Sequence, residues 1–253
     1  MNTKNFFDFS RFWSLLKLEL FRSRKGVFMT FLIAFGLLFF VGMLLAIVTE
    51  PDMKVFDHSE GYAYTLILGG FILSSLAYSD LGSTLRRYTY LNLPVSTLER
   101  FLSMWFLTSI VWIVLFTLTY TAYTWVANYL GQLLFSRVTF YAFDPLSAFT
   151  ITTMKCYFVL QGIFLVGAAH FRGYVFPKTV SVFIVLAVIC GTVVYFMLRE
   201  PFLSEHECSG VDCELIDVIA EQPIWAIIKW LFWWILAPLS WVITYLGLKG
   251  QEA

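Results

Sequence analysis

The sequence predicts an all-α membrane protein, a six-transmembrane-helix bundle with an N-terminal amphipathic interfacial helix. Three observations predict it. Hydrophobic residues make up 59% of the chain and charged residues 13%, about half the charged share of roughly a quarter that soluble domains carry. Six apolar runs approach or exceed the length of about 20 residues needed to cross a hydrocarbon core about 30 Å thick. The basic residues collect on alternate connecting segments, as they do in chains that thread a bilayer repeatedly.

The first element lies in residues 1–26. Phe9, Phe12, Trp13, Leu16 and Leu20 recur at helical spacing and form one apolar stripe, while Arg11, Ser14 and Lys17 project elsewhere. A helix built this way rests in the headgroup layer, either as a simple surface anchor or as a contact for a cytoplasmic partner as well. The membrane domain follows over residues 27–248, with spans expected at Val27 to Thr49, Tyr62 to Ser79, Phe101 to Ala127, Phe149 to His170, Thr179 to Leu198 and Ile224 to Leu248. The first span starts too late, is too long and lacks the small-residue pattern of a cleaved signal peptide. The fourth carries Thr152, Thr153, Lys155 and Gln161, so it is expected to pack inside the bundle. Pro238 removes a backbone donor from the last span and is expected to kink it.

Charge sets the orientation. Twelve of the seventeen basic residues fall on the N-terminal segment, the second loop, the fourth loop and the tail at 249–253: Lys4, Arg11, Lys17, Arg22, Arg24, Lys25, Arg86, Arg87, Arg100, Arg172, Lys178 and Lys249. The positive-inside rule places those segments, and both termini, in the cytoplasm. The expected location is therefore the inner membrane of a bacterial cell, crossed several times. Acidic residues crowd the opposite side, above all in the loop 199–223. Trp225, Trp230, Trp241, Tyr62, Tyr64, Tyr123 and Tyr129 stand near span ends, where an amphipathic ring suits the headgroup layer. Pairs of small residues four apart, Gly42 with Ala46, Gly70 with Ser74 and Ala187 with Gly191, permit close helix contact.

Cys208 and Cys213 lie in the acidic outer loop. An oxidising compartment favours a disulfide between them, unpaired thiols are a second reading, and a metal set with His206 is a third that matches no strong zinc signature. Zero net charge removes the basic excess that marks a nucleic-acid surface. The chain has no G-x-x-x-x-G-K-[ST] loop, no H-E-x-x-H and no G-x-S-x-G, so no nucleotide-binding or hydrolytic chemistry is expected of it, and no cofactor of its own.

The second loop, Asp80 to Arg100, is the most informative segment. Its first half places Leu81, Leu85, Tyr88 and Leu91 near one helical face, with Arg86 and Arg87 pointing away. Its second half starts a new helix: Pro94 discourages helix at Leu93, Ser96 is a candidate N-cap, and Glu99 stands three residues later as its capping-box partner.

The run Tyr90 to Ser103 (Tyr-Leu-Asn-Leu-Pro-Val-Ser-Thr-Leu-Glu-Arg-Phe-Leu-Ser) resembles the LP[VA]S…K/R segment between the second and third spans of ABC-2-type transporter permeases, the membrane subunits of ATP-driven exporters. The interfacial helix, six spans and inside N-terminus are similar to that family's plan. The resemblance implies that the segment from Leu81 to Leu93 docks in a groove of a separate cytoplasmic ABC ATPase, which binds the ATP and Mg. It assigns Asp80, Leu81, Leu85, Arg86, Arg87, Leu91, Leu93, Pro94 and Glu99 to this coupling loop, with the leucines filling apolar pockets and the arginines meeting acidic groups. Topology-setting and headgroup contact are the alternative for the two arginines. It also implies a second permease copy or homologue. One feature departs from the family: the acidic, Cys-bearing loop replaces the re-entrant helices often found before the last span, which leaves the substrate open. A non-transporting scaffold or accessory subunit is the competing reading. Burial of the second loop against the chain's own helices would leave an ATPase nothing to dock on.

Overall fold

The computed structural model describes residues 7–21, 36, 55–56, 58–82, 87–88, 90, 93–134, 139–171, 173–185, 188 and 223–251. Helix dominates among them. An N-terminal helix, α1, covers 9–21. A two-residue strand β1 (Val55–Phe56) precedes α2 (Ser59–Leu76), and a 3-10 turn follows at Ser79–Gly82. Next come α3 (Thr97–Phe106), a π-helical turn (Leu107–Val111) and α4 (Trp112–Leu134), which run on from one another. The strand β2 (Thr139–Phe140) pairs in parallel with β1, Val55 opposite Thr139. The chain continues through α5 (Ala148–His170), α6 (Val175–Val185), α7 (Pro223–Trp234) and α8 (Leu236–Lys249).

Helix α5 is the centre of the bundle, with its most extensive contacts to α2 and α8. Its expected place inside the bundle, and its expected bounds, are observed to within a residue. Gln161 is fully buried, whereas Lys155 faces outward. Close approach is achieved by removing side chains. A Cβ at Gly70 would fall on the Tyr157 ring, and one at Gly162 on the Ser240 hydroxyl.

Helix α2 shows what solvent it was built for. Tyr62, Leu66, Gly70 and Ser74, spaced four apart, are buried, while Tyr64, Leu68, Ile72 and Leu76, two residues out of step, are exposed. A helix apolar on both faces belongs in a core or in lipid. Helix α4 repeats the pattern, with Val114, Leu118, Trp125, Val126 and Leu133 more than half exposed. Exposed apolar area of this extent is costly in water. Among the described residues, two helices are long and apolar enough to cross a membrane: Thr97–Leu133, of 37 residues, and Ala148–His170, of 23. At 1.5 Å per residue the first is about 55 Å long, well beyond a hydrocarbon core.

The bundle ends differ in chemistry. At one end Tyr62, Phe116, Tyr120 and Phe143 interlock at ring separations of 4.9 to 5.8 Å. The Tyr120 hydroxyl donates to the His58 carbonyl at 2.9 Å, and the His58 ring meets the Asn128 amide oxygen at 2.7 Å. Tyr62, expected at the headgroup layer, is instead fully buried, because α4 and the segment before α5 close over it. Trp241 likewise packs against Trp105 and Phe158 inside the chain. Tyr64, Tyr129 and Trp230 are exposed.

The long third helix is not uniform. At the π turn the Trp112 amide reaches back to the Leu107 carbonyl, and the Tyr157 hydroxyl donates to the Thr108 carbonyl at 2.5 Å. A neighbouring helix thus donates to a carbonyl within the turn. The last helix breaks at Ile235, three residues before Pro238, as the missing proline donor dictates. The expected first span (apart from Gly36), most of the fifth, and the pairs Gly42–Ala46 and Ala187–Gly191 lie outside the described residues.

Candidate functional site

The other end of the bundle gathers the end of α2, the start of α3, the C-terminal ends of α5 and α8, and α1. Tyr78, Leu81, Tyr90, Phe101, Leu165 and Leu248 form one buried cluster there. Three helix ends meet one helix start there.

Local sequence builds the start of α3. Leu93 and Pro94 form a bend, Ser96 adopts an extended conformation (φ −75°, ψ 157°), and the capping box closes. The Glu99 amide donates to the Ser96 hydroxyl at 3.2 Å, and the Ser96 amide donates to Glu99 Oε2 at 2.7 Å. This expectation of the sequence is met in full.

Glu99 does more than cap. Its second oxygen, Oε1, accepts from the Asp8 amide at 2.7 Å and from Arg11 Nη2 at 3.1 Å. The carboxylate is 0% exposed, and Arg11 is 37% exposed at its side chain. Charge-assisted bonds to three nitrogens compensate the burial of the carboxylate. The Phe12 ring meets Phe106 edge-on at 6.5 Å, about two helical turns beyond Glu99. Helix α1 is thus fastened to the head of α3 by an acid, a base and a ring contact.

Its orientation corrects the expected stripe. Leu15 and Leu16 are buried, and Phe12 is half-buried. Phe9, Trp13 and Leu20 face outward, together with Phe21, and Lys17 lies over the Trp13 ring at 5.4 Å. Arg11, expected to project away from the apolar side, turns inward to Glu99. The reason is the buried carboxylate, invisible to a reading of helix periodicity alone.

The elbow between α2 and α3 is held on its inner side. Leu81 is 3% exposed and belongs to the bundle's own cluster, so its expected insertion into a partner's pocket is corrected. Leu93 is half-buried against the same cluster, and Asp80 is half-buried. Arg100, read from sequence as an orienting charge, is buried. Its guanidinium lies 5.2 Å from the centre of the Tyr90 ring and donates to the Leu93 carbonyl at 3.2 Å. Arg87 Nη2 donates to the Gln251 carbonyl at 3.4 Å, and the Gln251 amide in turn donates to the Ala169 carbonyl. Among its described residues the elbow leaves Ser79, Gly82, Tyr88 and Pro94 exposed, with Tyr88 at 66%.

Leu85, Arg86 and Leu91 lie outside the described residues, as do His206, Cys208 and Cys213. His170 closes α5, with its ring Nδ1 3.0 Å from the Val166 carbonyl. Among the described residues no three His, Cys, Asp or Glu side chains converge as a metal site would require. Sequence reasoning missed Arg100 and the second bond of Glu99. A buried-charge signal of that kind comes only from contacts such as Asp8 with Glu99, 91 positions apart. Comparison with protein-family models, with curated proteins and with solved structures finds no match for this chain.

Proposed function

We propose that the chain is the permease subunit of an ATP-driven exporter of the ABC-2 type, working with a separate cytoplasmic ATPase and a second membrane half. The observation that carries this reading is the elbow at 79–96: it joins two membrane-directed helices, and among its described residues Leu81 and Tyr90 are packed in the bundle while Tyr88 and Pro94 are exposed. A lever needs both properties. A segment loose from the bundle would move without moving the spans, whereas Arg100, Tyr90 and Leu81 tie this one to α3, α5 and α8. The docking face then includes Tyr88 and Pro94, in place of Leu81. The proposed setting is the inner membrane of a bacterial cell, crossed six times, with both termini cytoplasmic.

Burial of Tyr78, Leu81 and Tyr90 against the chain's own helices favours a second reading, a non-transporting scaffold or accessory subunit. Co-purification separates the two. Gently solubilised protein is expected to retain a nucleotide-binding subunit, and Tyr88→Asp combined with Arg87→Glu to lose most of it while the chain itself stays folded. Retention of no such subunit by the unmodified chain would leave the scaffold reading.

A further inference from the structure

We propose that Glu99 is a positioning residue that locks the N-terminal helix to the head of the third helix, so that α1 and α3 move as one body. One carboxylate serves two structures. Oε2 completes the cap of α3 through the Ser96 amide, and Oε1 holds α1 through the Asp8 amide and Arg11. Sharing the group links their stabilities, because α1 cannot leave without stripping a fully buried charge of two of its three partners. The flanking contacts agree with a fixed docking. Phe12 packs on Phe106 of α3, and Leu15 and Leu16 are buried, while the outer aromatic face carries Trp13 and Lys17. Helix α1 therefore presents that outer face at a set distance from the start of α3, and a displacement of the elbow is carried into both. Only this last consequence rests on the proposed transport; the lock itself does not.

The test uses full-length protein in membranes, with the four native cysteines changed to serine and new cysteines at Phe7 and Val95. These neighbour Asp8 and Ser96, whose amides donate to the same carboxylate. A short bis-maleimide is expected to join them efficiently. Arg11→Gln or Glu99→Gln lowers the docked-to-undocked ratio about tenfold or more, the weight of a charge-assisted bond to a buried group. Arg11→Lys restores much of the cross-link, and the double Gln variant falls no further than Glu99→Gln alone, because neutralising the carboxylate already removes the ion pair with Arg11. Unchanged yield in Arg11→Gln, or additive losses in the double variant, overturns the proposal. If Glu99→Gln does not fold, Arg11→Gln decides alone, since it leaves the capping box of α3 intact. Because no ATPase enters the measurement, an intact lock without a captured ATPase refutes the transport reading and leaves the lock standing.

Discussion

At the scale of residues, the junction is governed by how one buried carboxylate is satisfied. Ser96→Ala removes the hydroxyl that accepts from the Glu99 amide and is expected to cost about 1 kcal/mol, while Ser96→Asp, another good N-cap, retains most of it. The midpoint of thermal unfolding in detergent micelles measures both; equal midpoints for Ser96→Ala and the unmodified chain would remove the cap from the description. The Ser96–Glu99 box was legible in the sequence because its two members are three positions apart and every atom involved is local. Arg11 was not, because its partner lies 88 positions away and only folding brings them together. Arg100 was misjudged for a related reason: a count of basic residues registers charge but not a guanidinium stacked over Tyr90. The position of Tyr62 followed the same limit, since nearness to a span end says nothing about which neighbour covers the ring.

Elements were more legible than residues. Helix α5 begins and ends within a residue of its expected bounds, although polar residues interrupt its apolar run, and Ser147 caps its start. Helix α3 starts at Thr97, as its capping box requires, and the helical course then outlasts the expected third span at the far end. The π turn at Leu107–Val111 had no local signal; its geometry depends on Tyr157, which arrives from another helix. Pro238 did carry its signal, and the break at Ile235 follows from it. Pro238→Ala restores the missing donor and is expected to fuse α7 with α8 into one straighter helix. Spin labels at Trp230 and Leu246 would then report a longer and narrower distance distribution; an unchanged one would assign the break to packing.

Over the whole molecule, one buried cluster gathers residues from several helix ends. Tyr78 and Leu81 after α2, Phe101 in α3, Leu165 and Ala169 in α5, and Leu248 in α8 meet at one end, as an up-and-down path requires. The exposed leucines, valines and aromatics of α2 and α4 leave two sides of the bundle suited to lipid or to another helix bundle. The proposed function rests on the resemblance carried by the segment from Tyr90 to Ser103, and the burial of Leu81 leaves exposed Tyr88 as the proposed contact in the preceding segment. The most direct measurement is photo-cross-linking in intact cells, with a benzophenone amino acid in place of Tyr88, followed by mass spectrometry of the adducts. The lever reading predicts a covalent adduct with a separate ATP-binding protein, lost when the probe is moved to buried Leu81. Adducts with lipid or with this chain alone would contradict it.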